Sequence, residues 1–200
     1  MADLSIVLSV VMAVIHFSAF ALYCRAVIRN ESVFYTAMWV LTTVSSNLNG
    51  VTYLIMTGDL VKSAVPLANA ISVTIVLFIG WRRGKVKPLT RLDWTVLGIG
   101  LAVIAVWIVS GSASCANLLL QLALMIAIIP AFVGVWQSGQ ENVAPWSMWA
   151  CAHAISLVVI ALRWDNNYDA LVSPVLYIII NLGIIATTLA AKQRIRKNSR

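Results

Sequence analysis

Residues 140–149 read Q-E-N-V-A-P-W-S-M-W and form a short polar joint between two long apolar runs. Residues 30–39 read N-E-S-V-F-Y-T-A-M-W and occupy the same place between two earlier runs. When residue 30 is aligned with residue 140, the two stretches match at Glu31 and Glu141, at a valine, and at the closing Met-Trp pair. A joint that recurs together with its flanking runs predicts a duplicated unit.

The composition is that of a polytopic membrane protein. Hydrophobic residues make up 61% of the 200 residues and charged residues only 10%, whereas a soluble domain carries about 25% charged residues. The net charge of +7 does not indicate nucleic acid, because Lys and Arg collect in the loops of membrane proteins. Cys24, Cys115 and Cys151 have neither disulfide nor metal-ligand spacing. We therefore predict no nucleic-acid partner, no metal and no cofactor.

Seven apolar runs divide the chain, and each approaches the roughly 20 residues that a membrane-spanning helix needs. The runs are continuous rather than alternating, which favours helices over the strands of a membrane barrel. They lie at residues 4–28, 33–57, 63–79, 94–110, 116–136, 146–162 and 170–191.

Basic residues fall on one side of this arrangement. Of the 14 Lys and Arg residues, only Lys62 and Arg163 lie after runs two and six; the rest lie at the end of run one, after runs one and three, or in the tail 192–200. Because positive loops stay in the cytoplasm, the N-terminus is predicted outside and the C-terminus inside. This topology requires an odd number of helices, in a plasma or bacterial inner membrane.

Seven helices and a duplicated unit together predict an all-α, 3+1+3 fold. A three-helix unit ends on the opposite side from where it began, so a second parallel copy needs one extra crossing between them. The predicted parts are a first triple-helix repeat (1–84), a basic loop with a linker helix (85–112), a second triple-helix repeat (113–191) and a cytoplasmic tail (192–200).

The residues that can carry function are neutral and polar. No Asp, Glu, Lys or Arg lies deep in any run, which argues against a proton pump, and no catalytic constellation is present, so no enzyme is predicted. Polar side chains facing lipid are costly, so they are expected inside the bundle, either lining a pocket or joining helices. The candidate binding residues are Asn69, Asn181, Asn49, Tyr53, Ser46, Ser72, Ser156 and His153.

Two of these candidates form a pair. Asn69 and Asn181 each interrupt the third run of a repeat, at nearly the separation of the joints. Two carboxamides facing each other would offer donors and acceptors to a solute. His16 and His153 are interpreted first as interior histidines, with a substrate or pH-sensing role as the alternative. Tryptophans near run ends are interpreted as interfacial anchors; these are Trp39, Trp81, Trp94, Trp146 and Trp164.

Residues 130–149, P-A-F-V-G-V-W-Q-S-G-Q-E-N-V-A-P-W-S-M-W, with the following helix, acidic loop and Asn-containing helix, resemble the SWEET/PQ-loop (MtN3/saliva) family of membrane transporters. The resemblance implies facilitated diffusion of sugars or other small neutral solutes. It also implies an asparagine from each third helix in the binding pocket, here Asn69 and Asn181. The family's gate prolines correspond to Pro130 and Pro145. The first repeat has Phe20 and Tyr35 at these positions, so the second joint is expected to be the flexible hinge and the first its stiffer partner.

The sequence thus predicts a passive transporter that moves a small neutral solute, sugar-like or vitamin-like, by alternating access of two triple-helix bundles in a lipid bilayer. One alternative is a vitamin-precursor transporter similar to the nicotinamide-riboside (PnuC-like) family, which shares the 3+1+3 plan. The other is a membrane receptor or assembly protein that transports nothing. Homo-oligomer formation is left open.

Overall fold

The computed structural model describes residues 2–86, 88–110 and 113–198. The structure is all-helical, with 83% helix and no strand among the described residues. The helices are α1 (Ala2–Ile28), α2 (Thr36–Thr57), α3 (Ala64–Arg82), α4 (Arg91–Ser110), α5 (Ala113–Ala127), α6 (Ile129–Ser138), α7 (Val143–Leu162) and α8 (Asp169–Asn198). Because α5 and α6 are two parts of one apolar segment, the helices match the seven predicted runs.

Five of these segments are long and apolar enough to cross a membrane, which confirms a membrane-type chain: Leu4–Ile28, Ala64–Arg82, Asn117–Ser138, Val143–Leu162 and Asp169–Asn198. Helices α2 and α4 are not among them. Helix α2 carries polar side chains that are buried inside the bundle, including Ser45, Ser46 and Asn49. Helix α4 is apolar from Trp94 onward, and some of its side chains lie outside the described residues.

Local sequence signals set several helix ends. Helices α2 and α6 each end at a glycine with positive φ, Gly58 (62°) and Gly139 (63°), and each glycine N–H bonds back to a carbonyl four residues earlier at 2.8 Å. The left-handed conformation suits glycine because it has no Cβ. Helix α4 begins with a capping box: Thr90 N donates to Asp93 Oδ2 at 2.8 Å, and Asp93 N to Thr90 Oγ1 at 3.2 Å.

The fifth apolar run is interrupted at Ile128. Pro130 has no backbone N–H to donate, and the N–H groups of Ala131 and Phe132 both bond to the carbonyl of Ile128, at 3.0 and 3.1 Å. The run therefore forms two helices at the proline predicted to kink it. Pro145 differs, because it lies in the first turn of α7, where a proline removes no helical hydrogen bond.

Helix α8 continues to Asn198, through the residues predicted to form a separate basic tail. No Gly or Pro lies between Ile184 and Asn198 to end it. Lys192 Nζ donates to the backbone carbonyl of Glu141 at 2.9 Å. The Arg194 guanidinium lies 4.4 Å from the Trp136 ring centroid, over its face. Cations near a helix C-terminus are stabilising, so the basic residues support the helix they extend.

The helices pack in two similar groups. Helix α3 packs against both α1 and α2, and α8 packs against both α7 and the α5–α6 segment. Between the groups, α1 packs on α7 and α2 packs on α5, while α4 lies against α2 and α5. The largest core cluster lies between the groups and is rich in aromatic side chains, among them Phe20, Tyr23, Trp39, Trp146 and Trp149.

Candidate ligand cavity

A cavity of about 60 Å³ lies between the two helix groups. Helices α1, α2 and α3 contribute to its wall from one group, and α5, α7 and α8 from the other. Its polar lining residues are His16, Thr42, Asn69, His153 and Asn181, and its aromatic ones are Phe20, Trp39, Trp146, Trp149 and Tyr177. The described lining contains no Asp, Glu, Lys or Arg.

The two predicted asparagines line this one cavity, and both are buried. Asn69 Nδ2 donates to Ser46 Oγ at 2.9 Å and to the Tyr177 hydroxyl at 3.4 Å. Asn181 Nδ2 has no hydrogen-bond partner among the described residues. The pair therefore has one side chain whose amide N–H groups are held by its neighbours and one whose amide nitrogen has no partner among the described residues.

Two histidines and a tyrosine form a second polar group in the cavity. The His153 ring stacks on Tyr177, with centroids 4.5 Å apart and planes 5° apart, and the His16 ring meets His153 edge-on at 5.8 Å. Neither ring nitrogen of His16 makes a hydrogen bond of acceptable geometry to the described residues, although the Asn69 carboxamide lies close to it. Residues that line the cavity thus carry buried polar atoms that lack partners, an arrangement typical of ligand sites.

The remaining candidates lie beside the cavity rather than in it. Ser46 holds Asn69. Tyr53 and Ser156 line a small void of about 10 Å³ that adjoins the cavity, and the Tyr53 hydroxyl donates to the Ala170 carbonyl at 2.9 Å. Ser72 lines a separate recess between α1 and α3. Sequence spacing therefore placed these residues on helices around the cavity. It did not separate the residues that line the cavity from those that lie beside it.

Asn49 is held in a hydrogen-bonded cluster with α5. Its Oδ1 accepts from Asn117 Nδ2 at 2.7 Å and from Gln121 Nε2 at 2.8 Å, and all three side chains are buried. This geometry joins α2 to α5 and leaves the acceptor of Asn49 occupied. The hydrogen bonds favour helix joining over solute binding at this residue.

We expect Asn49→Leu to destabilise the protein by on the order of 2 kcal/mol, because two buried donors lose their acceptor. Thermal unfolding in detergent, followed by circular dichroism, measures the change. Asn47→Ala is the matched control, since Asn47 lies two residues away with an exposed side chain. A stable Asn49→Leu protein that has lost ligand binding would show that Asn49 acts on the ligand instead.

The aromatic part of the site was not recognised in the sequence. Trp39 and Trp146, predicted to be interfacial anchors, are only 3% and 5% exposed and line the cavity, so that interpretation is wrong for them. Trp81, Trp94 and Trp164 are exposed at helix ends, as expected of anchors. The repeat could have identified this part of the site. Trp39 and Trp149 end the two matched joints, so the repeat places them at equivalent depths.

Two ion pairs join the helix groups beyond one end of the cavity. Arg163 Nε lies 2.6 Å from Asp59 Oδ2, and Lys62 Nζ lies 2.6 Å from Asp165 Oδ2. The Lys62 side chain is only 1% exposed. Burial acts to raise the pKa of Asp59, but hydrogen bonds from Arg163 and two backbone N–H groups outweigh it and hold the pKa below its ordinary value. We call these four residues the outer seal, after the side on which the distribution of basic residues predicts them.

The two joints meet each other beyond the opposite end. Asn142 N donates to Ser32 Oγ at 3.2 Å, and these residues occupy equivalent positions in the matched stretches. The Gln140 side chain donates to the carbonyl of Asn30, which is also its equivalent. Residues at matched positions of the two joints therefore contact each other. Residues 30–35 and 139–142 are called the inner seal below.

Glu141 is a buried acid within the inner seal, 2% exposed. Its Oε1 accepts from Trp146 Nε1 and from the Asn142 backbone N–H, each at 3.2 Å, and its Oε2 has no partner of good geometry in the described chain. Burial raises its pKa to about 7, although the Ser32 hydroxyl, the Trp146 N–H, the Asn142 N–H and the charge of Lys192 oppose the rise. Glu141 is thus able to change charge near neutral pH.

Between the inner seal and the cavity lies an aromatic layer. The Tyr23 hydroxyl accepts from Trp39 Nε1 at 3.1 Å and donates to the Val33 carbonyl at 3.2 Å. Its ring lies 5.7 Å from Trp149, which in turn lies 5.2 Å from Trp146. The cavity is therefore separated from one end of the bundle by packed rings and from the other by ion pairs.

Comparisons with family models, with curated proteins and with solved structures find no match to this chain.

Proposed function

We propose that the chain is a seven-helix membrane transporter of 3+1+3 plan, which moves a small neutral solute passively by alternating access of two triple-helix units. The units are α1–α3 and α5–α8, with α4 as the linker. The packing order supports this division, because the third helix lies between the first and second in each unit. The contacts between units are also paired: α1 with α7 corresponds to α5 with α2.

The observation that carries the proposal is the position of the cavity. It lies between the two units, takes an asparagine from the third helix of each, and is separated from both ends of the bundle. A transporter that works by alternating access passes through such an occluded state, in which the solute site is closed on both sides. Opening either seal while keeping the other would expose the cavity to one side.

The distribution of charged residues favours passive transport of the solute. Coupled pumps commonly carry acidic or basic side chains along the ion path, whereas the described cavity lining has no Asp, Glu, Lys or Arg, and its histidines are His16 and His153. We place the inner seal and the basic end of α8 in the cytoplasm, because Lys and Arg collect there. The outer seal then faces the exterior of a plasma or bacterial inner membrane.

We expect the variant Asn69→Ala/Asn181→Ala to reduce solute uptake at least tenfold, because it removes the polar group of each unit from the cavity. Uptake of radiolabelled glucose and radiolabelled uracil into proteoliposomes measures it, since neither solute crosses lipid readily. Asn47→Ala, which changes an exposed asparagine on α2, is the control and should retain uptake. Unchanged uptake by the double variant would contradict the assignment of the cavity as the transport site.

A protein that binds a ligand without moving it is the second candidate. One observation favours it: the described proline break lies in the second unit alone, while α1 and α2 are uninterrupted. Single cysteines at Ser156 and Met38, on the outer and inner sides of the cavity, discriminate between the two. A transporter should show labelling of each from its own side of the membrane, whereas a static receptor should show one fixed pattern.

A further inference from the structure

We infer that the cavity binds a small, flat, uncharged ring that carries an amide-like polar group, rather than a polyhydroxylated sugar. This inference rests on the proposed function, because it names the substrate class of the same site. Three features of the cavity carry it: the aromatic wall, the small set of unpaired polar atoms, and the absence of charge in the described lining.

The wall is made largely of aromatic rings. Phe20 and Trp149 have centroids 4.7 Å apart and tilted planes, and His153 lies flat on Tyr177. Trp39 completes the wall from α2. Aromatic rings contact one another in offset-stacked or edge-on geometries, so a flat ring entering this space has faces and edges to pack against. A puckered saturated ring does not gain these interactions to the same degree.

The unpaired polar atoms include both donors and an acceptor, the two kinds that a carboxamide pairs with. Trp149 Nε1, Asn181 Nδ2 and both ring nitrogens of His16 lack partners among the described residues, and each side chain is at least nine-tenths buried. Tryptophan only donates, a neutral imidazole offers one donor and one acceptor, and an asparagine carboxamide offers both. A ligand carbonyl can accept from Trp149 Nε1 and Asn181 Nδ2, and a ligand N–H can donate to the acceptor nitrogen of His16. A hexose has five hydroxyl groups, several of which would lose water without gaining a partner.

The electrostatics of the wall favour an uncharged ring over a cation. Aromatic rings attract cations through their faces, which would otherwise suggest an ammonium compound. The unpaired N–H groups of Trp149 and Asn181, however, belong to residues that line the cavity, and each carries partial positive charge. No carboxylate in the described lining would neutralise a buried cation, and an unpaired buried charge is costly.

Binding of three probes to the purified protein in detergent tests the inference: benzamide, cyclohexanecarboxamide and glucose. The two amides share the polar group and differ in the flatness of the ring. Calorimetric titration should show at least tenfold tighter binding of benzamide than of cyclohexanecarboxamide, and no binding of glucose. Equal affinities for the two amides, failure of benzamide to bind, or preferential binding of glucose would each overturn the inference.

Tryptophan substitutions test whether the preference for the flat ring arises in the cavity. Trp149→Leu should remove the preference for the flat ring, while Trp81→Leu, which changes a 65% exposed tryptophan, should keep it. Should Trp149→Leu not fold, Trp149→Phe keeps the aromatic face but lacks the N–H. It should bind both amides more weakly by a similar factor, with the preference retained. An unchanged affinity for both amides in a folded Trp149 variant would place the binding site elsewhere.

The experiments distinguish a failure of the proposed transport function from a failure of the proposed ligand class. Benzamide selectivity in detergent without saturable uptake of uracil or glucose into proteoliposomes would refute transport and leave the ligand class intact. Saturable uptake of glucose, sensitive to the double asparagine substitution, would support transport and refute the ligand class.

Discussion

Replacing Asp165 by asparagine is expected to open the outer seal and to expose the cavity from outside. Lys62 is only 1% exposed, and its Nζ lies 2.6 Å from Asp165. A buried ammonium that loses its partner remains charged in a poorly solvated place, which typically costs about 3–5 kcal/mol. Asp165 is 46% exposed, so we discount this to on the order of 2 kcal/mol. Movement of the Lys62 loop into water relieves the cost, which favours the open state by roughly thirtyfold.

The rate at which a membrane-impermeant thiol reagent labels a cysteine at Ser156 measures this opening. Ser156 lines the void between the cavity and the outer seal. The native cysteines Cys24, Cys115 and Cys151 are replaced by alanine in all variants. Asp165→Asn should raise the labelling rate, whereas Asp169→Asn, which removes the same charge from the first turn of α8, should not.

A second substitution tests whether the unpaired lysine causes the effect. In Asp165→Asn/Lys62→Met the buried charge is absent, and replacing a buried ion pair by apolar residues is often close to neutral. The double variant should therefore label as slowly as the parent. If Asp165→Asn alone leaves labelling unchanged, or if the double variant stays fast, the ion pair does not hold the seal.

The order of the helices could be read from the sequence because it depends on local signals. Long apolar runs, Pro130 and the basic loops act through hydrogen bonding and burial within a single segment. Two features could not be predicted from signals within a single segment. Helix α8 continues to Asn198 where polarity suggested a tail, because helical hydrogen bonds persist without a breaking residue. The sequence predicts helix α2 as an ordinary span, because it does not show that the polar face of α2 is buried against neighbouring helices.

The candidate site was predictable only in part, for a physical reason. Asn69 and Asn181 could be found because a carboxamide in an apolar run is costly unless it has a partner. Asn49 has the same local sequence signature, yet its partners come from α5, and no spacing within α2 reveals this. His16 and Trp39 occupy apolar stretches in the same way as core residues do. Their place on the cavity depends on which helices meet, which is a property of the packing.

Inner-side access to the cavity is expected to increase between about pH 4.5 and pH 7, because Glu141 ionises. In the closed inner seal its pKa is about 7, against an ordinary value of 4.5. Opening the seal admits water to the carboxyl and returns its pKa toward the ordinary value. The closed state therefore binds the proton more tightly, and its advantage is complete below pH 4.5 and lost as the pH rises to about 7. The difference corresponds to about 3 kcal/mol, or on the order of a hundredfold in the closed-to-open ratio.

The groups that face Glu141 do not reverse this sign. Burial is the dominant cause of the raised pKa, and Tyr23 and Tyr35 are neutral phenols at these pH values. The charge of Lys192 on α8 opposes the rise in the pKa of Glu141. Its Nζ bonds to the backbone carbonyl of Glu141 rather than to the carboxyl. Ionisation of the carboxyl thus places a new negative charge in a site where three hydrogen-bond donors only partly stabilise it, and release of the joint restores its hydration.

Labelling of a cysteine at Met38, on the inner side of the cavity, measures this access at pH 5, 6, 7 and 8. The labelling rates of the Glu141→Gln variant provide the reference. The pH dependence of thiol ionisation is the same in both proteins, so it cancels in the ratio of the parent's rate to the variant's rate. Glutamine imitates the protonated acid, so the variant should remain closed and the ratio should rise with pH. Glu31→Gln is the matched control, since Glu31 is the exposed equivalent of Glu141 in the first joint, and glutamine keeps an oxygen that can accept from Asn142 Nδ2 as Glu31 does at 3.3 Å. A flat ratio across the range, or a rise in the Glu31 comparison instead, would show that Glu141 does not control the inner seal.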